Sequence, residues 1–136
     1  MISPTIGEVY AVSFQHIDHD KYIVIVGVTL LGTYVCAPFI NSKINQFIIN
    51  KKPHLVSLHI PITQNKNRFL SHDSFVACDE HNAISVQKLN DLEGNGMCRF
   101  LGILDAGDLV VVKDAFVNSG LLTAEELYYY FQIPIP

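Results

Sequence analysis

The apolar positions of this chain come in short runs separated by polar stretches, and most of the runs read as strands. Residues 9–14 are rich in β-formers and predict a first strand. From Lys21 to Val28 the chain is apolar without alternation. Continuous hydrophobicity implies burial on both faces, so a central strand is expected there. Residues 30–32 read as a turn and 32–40 as the next strand. Pro38 has no N–H to give to a ladder, so an edge or a bulge should fall there. Residues 54–61, 75–78 and 98–103 supply three further strands. Residues 44–52 fit no period, residues 41–43 read as a turn, 62–72 as a long polar loop, and 85–97 as polar with a turn at 91–96.

Helical signals come late. Asp105 is a candidate N-cap, with Asp108 favourable to the helix dipole. Leu109, Val112 and Phe116 recur near helical spacing, and Asn118-Ser119-Gly120 supplies a stop. Thr123 and Glu126 are spaced as a capping box, which predicts a short helix over 124–131. Strands first and helices last indicate an α+β domain, mostly β, or a small barrel with a helix across it. The βαβ alternation of a dinucleotide-binding fold is absent, as are G-x-G-x-x-G, a P-loop, G-x-S-x-G and H-E-x-x-H.

A length of 136 residues indicates a single domain, 1–136. Only 16% of residues are charged while 49% are hydrophobic. Globular chains average about 25% charged, so part of this surface is expected to be covered by a partner. A formal net charge of −4 argues against a broad basic nucleic-acid surface, though not against a small site with local cations. Three cysteines without a C-x-x-C pair read as buried and reduced in a cytoplasmic protein. No basic and apolar leader opens the chain, and no apolar run is long enough to span a membrane.

Two stretches carry candidate chemistry. Asp79, Glu80, His81 and Asn82 directly follow the 75–78 strand, and read either as an acidic, solvated turn or as side chains that a rigid sheet presents to a ligand. The polar loop 15–20 holds His16, Asp18, His19 and Asp20. No matching ligand motif lies elsewhere, so no metal and no cofactor is expected. Cys78 sits inside a strand and is expected to pack rather than react. His54 and His59 flank a strand and read as structural or exposed.

Several segments in order resemble the MazF/PemK/Kid family of toxins from type II toxin–antitoxin systems. They are Gly7-Glu8-Val9-Tyr10-Ala11-Val12, Lys21 to Val26, Pro38-Phe39-Ile40-Asn41-Ser42-Lys43, Val76 to Ile84, and Leu101-Gly102-Ile103-Leu104. The likeness covers residues 7–118, with 121–136 as an extension. It implies an SH3-like barrel, here of five to seven antiparallel strands, with a C-terminal helix at about 105–118; the short helix that the capping box predicts at about 124–131 is extra to it. It implies a homodimer bound by an antitoxin protein, and a metal-independent endoribonuclease that cuts single-stranded RNA. Carried over, Lys21, Asp79, His16 and His19 become the catalytic candidates. Asn41, Ser42, His81 and Asn82 become substrate-binding candidates.

The chain departs from the family at its basic positions: Lys21-Tyr22 replaces Arg-Pro, Asn41 replaces Thr, and Ala77 and Asn82 replace arginines. An arginine fork matches phosphate in a way that lysine or asparagine alone does not. The related CcdB toxins share the fold and act by binding a protein. A protein-binding role, or an inactive relative, is therefore the alternative expectation.

Overall fold

In the computed structural model, which describes residues 2–136, the apolar run at 21–28 does not stay in one sheet. β1 (Glu8–Val12) pairs antiparallel with β2 (Lys21–Val24), and the run then bends at Ile25–Val26 into β3 (Gly27–Val28) of a second sheet. The next run bends at the same level. β4 (Tyr34–Cys36) and β5 (Phe39–Asn41) are separated by Ala37 and Pro38. Pro38 thus marks the break expected of a residue that cannot donate to the ladder. Its carbonyl still accepts from Val24 N at 3.2 Å, holding the two bends together.

The chain continues through α1 (Gln46–Lys51), a 3-10 turn (Pro53–Leu58), β6 (His59–Ile62), β7 (Ser74–Ala77), β8 (Ala83–Ser85), α2 (Val86–Gly94), β9 (Cys98–Ile103), α3 (Ala106–Asn118) and α4 (Ala124–Phe131). Six strands form one sheet in the order β6-β7-β5-β2-β1-β9. Three form the other, β3-β4-β8. The architecture is α+β, mostly antiparallel strands with C-terminal helices, and is compatible with a small open barrel. The described residues form nine short strands rather than five to seven, because two long runs each break where they change sheets.

Both faces of the central strands are covered, as their unbroken hydrophobicity requires. Val9 and Val24 join one cluster with Val112 and Phe116 of α3 and Tyr130 and Phe131 of α4. Tyr10, Val12 and Ile23 point the other way, against Leu89 and Leu92 of α2. The 121–136 segment is therefore part of the core. Phe131 stacks on Phe116 at 6.2 Å between ring centroids. α4 lies so close to β3 that a Cβ on Gly27 would stand 2.7 Å from the Tyr130 carbonyl oxygen. The capping box at Thr123 forms in both directions.

The polar stretch 85–97 contains α2, which departs from the expected turn. Ser85 Oγ caps it by accepting from Lys88 N at 3.0 Å, and only Leu89 and Leu92 are buried along it. The expected 54–61 strand is a 3-10 turn followed by β6, since Pro53 starts the turn. No helix among the described residues is long and apolar enough to cross a membrane.

The 63–73 loop is tied down by one residue. Asn67, 1% exposed, donates through Nδ2 to Thr63 O at 3.0 Å and Asp108 Oδ2 at 2.9 Å, and its Oδ1 accepts from Asp105 N at 2.8 Å. Asn67→Ala strands these partners. It is expected to lower unfolding free energy by about 2–4 kcal/mol, at about 1–3 kcal/mol per buried group left unpaired. Urea denaturation checks it, and a loss under about 1 kcal/mol would show that water replaces the side chain.

Candidate functional site

The register of β2 against β5 builds one side of a cleft of about 540 Å³. Tyr22 faces Ile40, so Lys21 and Asn41 stand next to one another at the end of the pair. Lys21 Nζ donates to Asn41 Oδ1 at 2.6 Å and lies 5.1 Å from the centre of the Phe39 ring. Ser42 and Lys43 follow Asn41 along the rim, and His19 and Asp20 precede Lys21. The opposite side comes from His59 of β6 and from residues 70–74, the end of the loop that Asn67 anchors.

Lys21 is the less exposed of the two lysines that line this cleft. Burial pushes its pKa below the ordinary 10.5. No carboxylate among the described residues approaches its ammonium within 4.0 Å, and its hydrogen-bond partner is a neutral amide. A desolvated charge is normally paired. In a chain of net charge −4, this cation is left facing an open cleft.

His59 is the second unusual group. Its side chain is only 5% exposed, and neither ring nitrogen has a hydrogen bond. Nε2 lies 3.4 Å from Asp79 Oδ1, inside ion-pair range but out of line for a hydrogen bond. β6 pairs with β7 so that His59 opposes Ala77, which brings the ring to the residue two positions further on. His59 was expected to be structural or exposed. It is instead a buried ring that lines the cleft and leans on Asp79.

The sequence-derived candidates divide. Lys21, Asn41, Ser42 and His19 share the cleft. Asp79 does not line it and reaches it only through His59. His16 is exposed on the 15–20 loop and outside the cleft. His19 Nδ1 contacts Asp18 Oδ1 at 2.9 Å, and this hydrogen bond, then the histidine's charge, holds Asp18 below its ordinary range. His81 turns to the C-terminal helix: its Nε2 is 3.2 Å from Glu126 Oε2 and its ring 5.8 Å from that of Tyr130. Asn82 adopts φ 46° and donates to Ala37 O at 2.8 Å, which makes it a turn residue. His72, unmarked by the sequence, lines the cleft from the 70–74 side.

Burial pushes the thiol of Cys78 up to about 12 and that of Cys98 up to about 11, so neither is a nucleophile. All three cysteines are buried and unbridged. No group of three or more His, Cys, Asp or Glu among the described residues is placed to hold a metal ion. The cleft therefore offers two lysines, amide and hydroxyl donors, and two imidazoles each beside a carboxylate. That set suits binding an oxyanion and moving protons around it. No protein-family model matches the chain, and no curated protein is similar to it.

Proposed function

We propose that the protein is a toxin-like endoribonuclease that cleaves single-stranded RNA without a metal ion. The observation that carries this reading is the unpaired Lys21 ammonium sharing one cleft with His19 and His59. Cleavage begins when the ribose 2′-OH loses its proton and O2′ attacks the adjacent phosphorus. The bond to the 5′-oxygen then breaks, and that oxygen takes up a proton. Products carry a 2′,3′-cyclic phosphate and a 5′-hydroxyl. His59, whose Nε2 lies 3.4 Å from Asp79 Oδ1, accepts the 2′-OH proton through Nδ1 once bound substrate shifts the ring and uncovers that nitrogen. His19, beside Asp18 at the mouth of the cleft, returns a proton to the leaving oxygen. Lys21 stabilises the charge that builds on the phosphorane, where one well-aimed donor is worth about 10²–10³ in rate.

The test is incubation of purified protein with single-stranded RNA in EDTA. Cleavage with 2′,3′-cyclic phosphate ends is expected, and it should vanish when the nucleotide 5′ to the cut is 2′-deoxy. Intact RNA after exposure to folded protein, over varied sequences, would overturn the proposal.

A protein-binding role is the second reading, and a separate observation favours it. Leu30 and Leu31 at the tip of the β3–β4 hairpin are 66% and 89% exposed. They border an apolar groove of about 490 Å³ with Tyr34, Tyr128 and Tyr129. Exposed apolar surface of this kind marks contact sites. An antitoxin or a second copy of the chain is the partner this reading expects.

A further inference from the structure

Lysine can only donate, so the atom of Asn41 that meets Lys21 Nζ at 2.6 Å is the amide oxygen. This contact fixes the orientation of the whole planar amide. Nδ2 is turned to the side away from the ammonium, and no acceptor among the described residues takes it. The residue lines the cleft beside Lys21. Two donor groups are thus left open at one place: the remaining N–H bonds of the ammonium and the two N–H bonds of Nδ2.

Their spacing is a property of the sheet. Tyr22 faces Ile40 across β2 and β5, which places residues 21 and 41 as the next cross-strand neighbours. β5 is pinned on its other side by Asn41 opposite Phe75 of β7, and β2 by Lys21 opposite Val12 of β1. Cross-strand neighbours hold side chains within reach of one another, and the Phe39 ring under the ammonium narrows its freedom further. A guanidinium presents two parallel donors from one rigid group. Here a flexible lysine is converted into part of a rigid pair by its neighbour.

We infer that Lys21 and Asn41 form a composite two-donor fork that grips the two non-bridging oxygens of a phosphodiester, Nζ on one and Asn41 Nδ2 on the other. The identity of the anion rests on the nuclease reading above; the fork itself rests on the amide orientation and the strand register. Asn41 is on this account a specificity-determining residue. It selects an anion with two coplanar oxygens, whereas a lone ammonium accepts any anion.

The experiment measures binding of a short single-stranded 2′-deoxyoligonucleotide, which lacks the attacking hydroxyl and stays intact. Asn41→Ala is expected to weaken binding by at least about 10-fold, the worth of one hydrogen bond to a charged group. Asn41→Asp should weaken it by more than about 50-fold, because the carboxylate pairs with Lys21 and repels phosphate. Lys88→Ala, which removes an equal charge from exposed helix α2 outside the cleft, should cost no more than about 3-fold. Asn41→Ser, too short to meet Lys21 but kept on the strand, should repeat the alanine loss and guards against misfolding of the first variant. Equal affinity for wild type, Asn41→Ala and Asn41→Ser would overturn the fork, as would losses for Lys88→Ala as large as those for Asn41→Ala. RNA left intact together with Asn41-dependent binding would refute the nuclease and uphold the fork. RNA cleaved together with Asn41-independent binding would do the reverse.

Discussion

Lys21→Met is expected to lower RNA cleavage by about 10²–10³-fold and at the same time to make the protein more resistant to urea. The first effect follows from removing the less exposed of the two lysines that line the cleft, where charge develops during phosphoryl chemistry. The second follows from its surroundings. The ammonium is partly desolvated, has no carboxylate partner among the described residues, and lies over the Phe39 ring. A thioether of similar length keeps the packing and removes the desolvation cost. The sign with pH is fixed by linkage. Burial lowers the folded-state pKa of Lys21 below the ordinary 10.5, so between those two values the unfolded chain binds more protons than the folded one. Stability contributed through this group therefore rises with pH in that window. The advantage of Lys21→Met over wild type should be fullest at neutral pH and shrink toward pH 10.5. Parallel urea titrations of the two proteins cancel the other titrating groups. A variant that loses stability at neutral pH, or cleaves at the wild-type rate, would show that Lys21 is an ordinary surface lysine.

A residue that costs stability and faces an open cleft is the expected mark of a binding site, since folding alone gives no reason to keep it there. Lys21 and His59 are the poorly paired groups that line the cleft, from different strands and for different physical reasons. One is a cation without an anion, the other a buried ring with two unused nitrogens.

The two groups were not equally legible in the sequence. Lys21, Asn41 and Ser42 lie in segments whose order and patterning indicated a β-rich fold, and the antiparallel pairing of their strands brings them together. His59 could not be found that way. Its meaning depends on β6 pairing with β7 across the 63–73 loop, and nothing local to residue 59 encodes which strand it will meet. The run Asp79-Glu80-His81-Asn82 misled in the opposite direction. Adjacent in sequence, these side chains diverge along the turn that joins β7 to β8, where Asn82 at positive φ donates to Ala37 O. His81 then faces Glu126 while Asp79 faces His59. Helix α2 was hidden by its composition, since two leucines in nine residues make too narrow a stripe to show a period. Its Ser85 cap was the one visible signal. The late helices were legible because their caps are explicit: Asp105 and Thr123 each accept the N3 amide as their spacing predicts.

Replacing His59 should have the largest effect on cleavage, and the form of the loss identifies its role. His59→Gln removes proton transfer while keeping a polar side chain of similar reach, and a fall of about 10²–10⁴-fold in kcat is expected. Asp79→Asn keeps the shape but replaces the charge beside Nε2, and should cost about 10-fold or somewhat more, since a positioning carboxylate acts only through the ring it steadies. The two losses should not add. With His59 already gone, the carboxylate has nothing to orient, so the double variant should cleave no more slowly than His59→Gln alone. KM should change little in all three, because the ring nitrogens are buried and make no contribution to ground-state binding. A structural origin for the loss predicts a different pattern: His59→Leu would then unfold the protein. It should instead hold unfolding free energy within about 1 kcal/mol of wild type, since an apolar side chain leaves no buried nitrogen unpaired. Additive losses at 59 and 79 would separate the pair. His59→Gln cleaving within about 3-fold of wild type would move the proton transfer to His19 and His72, the other imidazoles that line the cleft.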